Sequence, residues 1–366
     1  MEPGKISERQ LAFLMLTVTI STVIFFMPQI AARAVEQDAW LTSVIATVWG
    51  LIVAVVIVAL ARRFPGQTFI EYLPSILGRP LGKLVGLLYA FWFLSVGAFI
   101  IREFGMFLNI TIMPQTPVMV FVVTITALAF YAVRSGLETW ARVNEILLPL
   151  ILLGVLMVIF LPFEHMDLRR LLPVGVHPLG TMLVSSFTSA SWRGEVLLAG
   201  MFIPALVSTC HTSRNLALVV IIIGVILAAV EMAVVAVFGG VDAGQLELPV
   251  FSLARMISLA RIIDRLEAII VIMWVLGNFI KVCAFLYCSV VATAQVLGFR
   301  EFQFLLLPVT VLVIALADNV LEDVAEFTDF LSNVWAGYSL LSFEMIVPLL
   351  LYLLVLVRPA EKRGAA

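Results

Sequence analysis

Two apolar stretches of this chain carry side chains that could do chemistry. In the first, Ser185-Ser186-Phe187-Thr188-Ser189-Ala190-Ser191-Trp192-Arg193-Gly194-Glu195 is followed by Gly200 and Pro204. A run of hydroxyls ending in two charges and a glycine is costly to place inside a membrane, where ionisable residues mark functional positions by default. Glu195 could hold an ammonium group or take up a proton. The plainer reading is a structural ion pair, with Arg193 or with a base on another helix. Two residues apart on a helix, Arg193 and Glu195 do not face each other, so a direct local pair would need non-helical backbone. In the second stretch, Lys281 stands about 15 residues from either end of the apolar run 266–297, too deep to reach the interface easily. Its plain reading is a partner for a buried carboxylate such as Glu195 or Glu231.

The elements that must position these groups are membrane spans. Of the 366 residues, 63% are hydrophobic and 13% charged, and the mean hydropathy is +1.14. A soluble domain of this size needs far more charge on its surface. The net charge of −2 gives nucleic acid no attraction. Cys210, Cys283 and Cys288 show neither CxxC nor Cys/His spacing and read as small buried hydrophobes. No metal or other cofactor is implied. His165, His177 and His211 fall in loops or at span ends without ligand spacing. No HExxH, Gly-x-Ser-x-Gly, phosphate loop or paired-carboxylate constellation is present, so an enzyme is the weakest class.

Windows of about 20 apolar residues mark ten spans: 11–32, 41–61, 84–112, 117–133, 143–163, 181–206, 215–238, 266–297, 303–317 and 335–357. Continuous apolar character without alternation argues for helices and against a β-barrel. The run 11–32 is too long for a signal-peptide core and reads as an uncleaved first span. With the N-terminus cytoplasmic, the inner segments hold thirteen bases (Lys5, Arg9, Arg62, Arg63, Arg79, Lys83, Arg134, Arg142, Arg214, Arg300, Arg358, Lys362, Arg363). The outer segments hold six (Arg33, Arg169, Arg170, Arg255, Arg261, Arg265). The excess places both termini inside. The acidic loop Asp318, Glu322, Asp323, Glu326 and Asp329 agrees with an outer position.

Semi-polar connectors at 64–77 and 248–263 occupy equivalent places in two five-helix halves and fall on opposite faces. This is the logic of an inverted repeat. The expected architecture is therefore a single all-α transmembrane domain over 1–366, with repeats at about 7–163 and 180–357. In such folds the site lies near the midplane, where the first helix of each half breaks. Span one offers Thr17-Val18-Thr19-Ile20-Ser21-Thr22-Val23 before Pro28, and span six the hydroxyl run above. Thr19, Ser21, Thr22, Val23, Ser189, Ser191, Gly194 and Glu195 are the candidate ligand-binding residues. The competing reading of the hydroxyls is that they bond back to their own helix or pack small against a neighbour.

The order and spacing of several motifs resemble a known family. They are Lys5-Ile6-Ser7-x-x-Gln10-Leu11, Pro28, Asp38-Ala39-Trp40-Leu41, Phe64-Pro65-Gly66-Gln67-Thr68 with Glu71-Tyr72, and Leu77-Gly78-Arg79-Pro80-Leu81-Gly82. Thr116-Pro117, Gly194-Glu195 with Pro204, and Trp274 with Phe279 and Lys281 continue the series. From residue 5 to about 290 the chain resembles the B subunit of GerA-type spore germinant receptors. The resemblance implies the amino acid–polyamine–organocation transporter fold (LeuT-like, five plus five helices, helices 1 and 6 broken). It also implies a nutrient such as a small amino acid as ligand, and A-type and C-type partner subunits. The expected location is the bilayer of the spore inner membrane. In this fold a residue of the eighth helix approaches the first-helix break, so the Lys281 ammonium could stand in for a sodium ion. Where the family tends to have glycines in the first break, this chain has Ser21 and Val23.

Three functional readings remain open at this level. One is a receptor subunit that senses its nutrient, and another is a proton-coupled or sodium-independent amino acid transporter. The third is a scaffold that has lost ligand binding. In the first two, backbone N–H groups at the breaks and helix N-terminal dipoles would take the ligand carboxylate, while Glu195 or backbone carbonyls would take its ammonium. Arg102, Glu103 and Glu231 read as structural partners of other helices. Glu138, Arg142, Asn144 and Glu145 read as a solvated charge network, and Glu71 and Tyr72 as an interfacial pair or a gate.

Overall fold

A computed structural model describes residues 4–256, 266–321 and 323–357. The expected inner bases Arg358, Lys362 and Arg363, the outer bases Arg261 and Arg265, Glu322 and the end of the 248–263 connector lie outside them. Ten long helical elements carry the fold. They are α1 (Glu8–Val35), α2 (Ala39–Arg63), α3 (Arg79–Thr111), α4 (Val118–Arg134) and α5 (Leu137–Phe160), then α6 (Leu179–Gly194), α7 (Thr212–Phe238), α8 (Leu266–Leu297) and α9 (Gln303–Asn319). The tenth, α10, opens as a π-helix over Ala336–Ile346 and closes as an α-helix over Val347–Val357. Each of the ten expected spans falls on one of these elements, and no strand occurs among the described residues.

Six stretches are long and apolar enough to cross a membrane, the first of which, 8–63, contains both α1 and α2. A seventh is formed if α9 and the short helix Val324–Asn333, bent by 102°, count as one span. The chain is an all-α polytopic integral membrane protein. With lipid as solvent, backbone groups must be satisfied within the segment.

α1 is the axis of the bundle. Every residue from Leu14 to Ala32 is buried, and α5, α6, α7 and α8 all pack against it. A helix that is apolar all round belongs in such a position. Its start is fixed by a capping box: Ser7 Oγ accepts from the Gln10 N–H at 3.1 Å, and Gln10 Oε1 accepts from the Ser7 N–H at 2.8 Å.

The expected break in α1 is absent. The helix runs unbroken from Glu8 to Val35 through Thr17–Val23 and past Pro28. The reason is local. Ser21 Oγ donates back to the Thr17 carbonyl, and Val23 supplies a side chain where a glycine would loosen the backbone.

The expected break in the sixth span is present. α6 ends at Gly194, and a 3-10 turn covers Glu195–Leu198. One turn of α-helix over Ala199–Phe202 and a second 3-10 turn over Ile203–Ala205 follow. The break is braced from two sides. The Phe69 N–H donates to the Gly200 carbonyl at 2.9 Å, and an isolated parallel bridge joins Ile6 to Leu206.

Candidate functional site

The helix break delivers Glu195 to the bundle interior, where α8 supplies Lys281. The two side chains, each 1% exposed, form an ion pair with Nζ 2.7 Å from Oε1. The same ammonium donates to Thr22 Oγ1 of α1 at 2.8 Å, and the indole of Trp192 donates to that hydroxyl at 2.9 Å. Lys281 also lies 6.0 Å from the Phe285 ring centroid. Three segments remote in sequence thus meet where α1, α6 and α8 touch. The second oxygen of Glu195 accepts no hydrogen bond from the described residues.

Two further buried carboxylates stand near this pair. Glu103 of α3 is 4% exposed and Glu344 of α10 is 0% exposed. Glu344 lies against Gly194, next to Glu195 in the chain, and Glu103 belongs to α3, which packs along α8. Ser339 Oγ donates to Glu344 Oε1 at 2.8 Å, and Trp92 Nε1 donates to that serine at 3.3 Å. Glu344 Oε2 rests on the break itself: a Cβ added to Gly194 would fall 2.0 Å from it. Gly194 is therefore required because a carboxylate occupies the space a side chain would take.

Arg193 turns the other way. Its guanidinium donates to the Ser189 carbonyl at 2.9 Å, to Ser189 Oγ at 2.6 Å and to the Ser43 carbonyl of α2 at 3.1 Å. Ser43 Oγ in turn donates to Glu231 of α7 at 2.9 Å. The α2 backbone comes close enough for this because Gly50 leaves room, where a Cβ would stand 2.7 Å from Arg193 Cβ. The two charges flanking Gly194 are thus anchored on different helices, Arg193 on α2 and Glu195 on α8.

The expected ligand-binding residues divide accordingly. Thr22, Gly194, Glu195 and Lys281 come together. Ser21 spends its hydroxyl on Thr17, Ser191 donates to the Phe187 carbonyl at 3.1 Å, and Ser189 serves Arg193. Thr19 and Val23 are buried in the unbroken α1. With α1 intact, no carboxylate-binding nest of free N–H groups exists at residues 17–23. Glu103, Glu344 and Trp192 complete the arrangement. Glu344 was findable as a lone carboxylate in the apolar run 335–357, the same signal that marks Lys281.

An apolar cavity of about 30 Å³ lies between α1, α5 and α8. Ser21, Phe25, Gly154, Met273, Trp274 and Gly277 contribute to its wall. Ser21 precedes Thr22 in the chain and Gly277 lies one turn before Lys281, so two of the helices that line the cavity also carry the cluster, though Thr22, Glu195 and Lys281 do not line it.

The remaining charged residues are tied elsewhere. Glu145 accepts from Arg9 at 2.7 Å and from Gln10 at 3.0 Å, and Arg142 pairs with Glu138 at 2.5 Å. Asn144 is buried and accepts from Thr17 at 2.8 Å, so it belongs to the core rather than to a solvated network. His177 is also less free than its loop position suggested. Its Nδ1 lies 3.1 Å from Asp38, whose carboxylate accepts from the N–H groups of Gly175, Val176 and His177 at 2.7, 2.9 and 3.1 Å. Burial pushes the Asp38 carboxyl up, and these hydrogen bonds outweigh it, holding it below the usual carboxylate range.

The structure defines a polytopic helical membrane protein with a buried ion pair at a helix break. The chain belongs to the spore germination protein family, whose family model matches residues 5–322. It is 26% identical to spore germination protein KB of Bacillus subtilis (strain 168) over 357 residues, covering 96% of this chain and 95% of the relative. Spore germination protein YndE of the same organism is 24% identical over 90% of this chain and 92% of its own length. Spore germination protein A2, again of Bacillus subtilis, is 23% identical over 86% and 87%. The resemblance to GerA-type B subunits thus holds at the level of the family.

Proposed function

We propose that this chain is the nutrient-sensing B subunit of a germinant receptor and that it binds a small amino acid at the Thr22–Glu195–Lys281 cluster. The observation that carries this reading is the buried Lys281–Glu195 pair seated on the α6 break. Separating such a pair without replacement leaves uncompensated buried charges, at a cost of about 3–5 kcal/mol. A zwitterionic amino acid is its complement: the ligand ammonium takes Glu195 and the ligand carboxylate takes Lys281. The apolar cavity beside Ser21 and Gly277 suits a small side chain.

This assignment differs from the sequence expectation in one respect. The ligand carboxylate goes to the Lys281 ammonium, not to unwound backbone of α1. Since Lys281 already provides a fixed positive charge there, no sodium ion is needed.

Signalling then requires only that the ligand bind one conformation better than the other. Exchanging Glu195's partner loosens the tie between α6 and α8 while Arg193 keeps α6 fastened to α2. In this proposal A-type and C-type subunits read out that movement, in the spore inner membrane, with both termini of this chain on the cytoplasmic side.

The test is calorimetric binding of a panel of amino acids to the purified protein in sodium-free buffer, with Glu195→Gln alongside. Saturable binding of a small neutral amino acid, much weakened in the variant, is the expected result. Absence of binding by folded wild type to every amino acid in the panel refutes a self-sufficient site. Uptake of the bound amino acid into protein-containing vesicles would show a transporter instead of a sensor.

A further inference from the structure

The charge inventory around Lys281 does not balance. Lys281 is bonded to Glu195 of the α6 break, and two further carboxylates, Glu103 of α3 and Glu344 of α10, are buried in the same bundle; none of the four residues is more than 4% exposed. Among the described residues, the opposing elements bring no second cation bonded to these carboxylates. Between Phe13 and Ala32, α1 has no ionisable residue. Arg193 is turned towards Ser43 and the side of Glu231, and Arg102 reaches the Leu321 carbonyl at 3.1 Å. The Tyr89 hydroxyl of α3 donates to the Phe343 carbonyl, next to Glu344 in the chain, at 2.6 Å.

Each carboxylate also leaves one buried oxygen without a hydrogen-bond partner among the described residues: Glu103 Oε1, Glu195 Oε2 and Glu344 Oε2. An isolated ionised carboxylate held away from water is too costly to persist. Positive charge must therefore come from outside the side chains. A shared metal ion does not fit, because among the described residues no three His, Cys, Asp or Glu side chains are grouped so as to hold one.

We infer that the cluster is a proton-binding site: at least one proton resides on the Glu103–Glu195–Glu344 set in the ligand-free protein. This proton is a component of the site in its own right. It makes the arrangement of one ammonium and three carboxylates tenable in a dry interior. The proton inventory stands on the ligand-free geometry and does not rest on the nutrient-sensing reading.

The decisive measurement is infrared spectroscopy of the ligand-free full-length protein in lipid nanodiscs at neutral pH, in H2O and D2O. A protonated-carboxyl carbonyl absorption that moves on deuteration, and that weakens in Glu103→Gln or Glu344→Gln, is expected. Glutamine has the shape of the neutral acid, so both variants should fold. Absence of that absorption in wild type at neutral pH overturns the inference. So does its survival at full strength in Glu103→Gln, Glu344→Gln and Glu195→Gln alike. No ligand enters this experiment, so a failed nutrient screen leaves its outcome intact and the reverse also holds.

Discussion

α1 and α6 occupy corresponding places in the two halves expected from sequence, and both carry hydroxyl-rich midsections, yet they fold differently. In α1 the hydroxyls are absorbed by the helix and its neighbours: Ser21 closes on Thr17, and Thr17 donates to Asn144. In α6 the hydroxyl run stops at Arg193-Gly194-Glu195, and there the α-helix gives way. Hydroxyls alone do not break a transmembrane helix, because each can bond to the carbonyl one turn earlier. What distinguishes α6 is a pair of charges with partners on different helices and a glycine between them that admits a third carboxylate. The comparison sets the α6 break apart as the place where buried charge and a helix interruption coincide, beside an unbroken α1.

The largest effect is expected from splitting the pair that α1 lacks. Lys281→Met or Glu195→Leu alone should destabilise the protein by about 3–5 kcal/mol, while the double variant should return close to wild-type stability. Thermal unfolding in detergent measures all three. A double variant no better than the singles would mean that the pair is held by something other than mutual charge compensation.

Gly194→Ala comes next. Its methyl group would meet Glu344 Oε2, so a loss of about 1–3 kcal/mol is expected from overpacking. Combining it with Glu344→Ala should recover part of that loss, as a double-mutant cycle would show.

Asp38 ties the α1–α2 corner to the segment leading into α6, and it gives the comparison a pH axis. Its carboxyl is held below the ordinary value, about 3.9 for an unperturbed aspartate. The stabilisation is therefore present above that pH and is lost as the pH falls through the lower, folded value. Asp38→Asn should cost about 1.5–3 kcal/mol at neutral pH, the range for hydrogen bonds to a charged group. It should also flatten the acid limb of the stability profile.

The smallest effect tests whether α1 can be made to resemble α6. Ser21→Gly should cost about 1 kcal/mol or less in helix propensity. It should also speed amide exchange around residues 17–23 without abolishing the helix. Opening of α1 by glycine alone, with exchange as fast as in the 195–198 turn, would show that charge is not needed for a break.

Much of this was legible in the sequence for reasons that act locally. Twenty-residue apolar runs must become helices in lipid, so every expected span lies on a helical element. Buried charge is expensive anywhere, so Glu195 and Lys281 stood out as single residues. The resemblance carried by the ordered motifs placed the chain in its family. The unbroken course of α1 was less legible, since a hydroxyl run is compatible with both outcomes until the partners of each side chain are known.

The sequence by itself determined the solvent, the helical class, the interruption at Gly194-Glu195 and the identity of two charged residues that had to find partners. Those properties follow from hydropathy and backbone chemistry, which are set within one or two turns of chain. Only the tertiary structure decided who the partners are. It sent Lys281 to Glu195 and Thr22, Arg193 to Ser189 and Ser43, and Glu344 against Gly194, pairs separated by as many as 259 residues in one case. Which side chains meet depends on the rotation and crossing of whole helices. That is fixed by the packing of the entire bundle, and no local pattern encodes it.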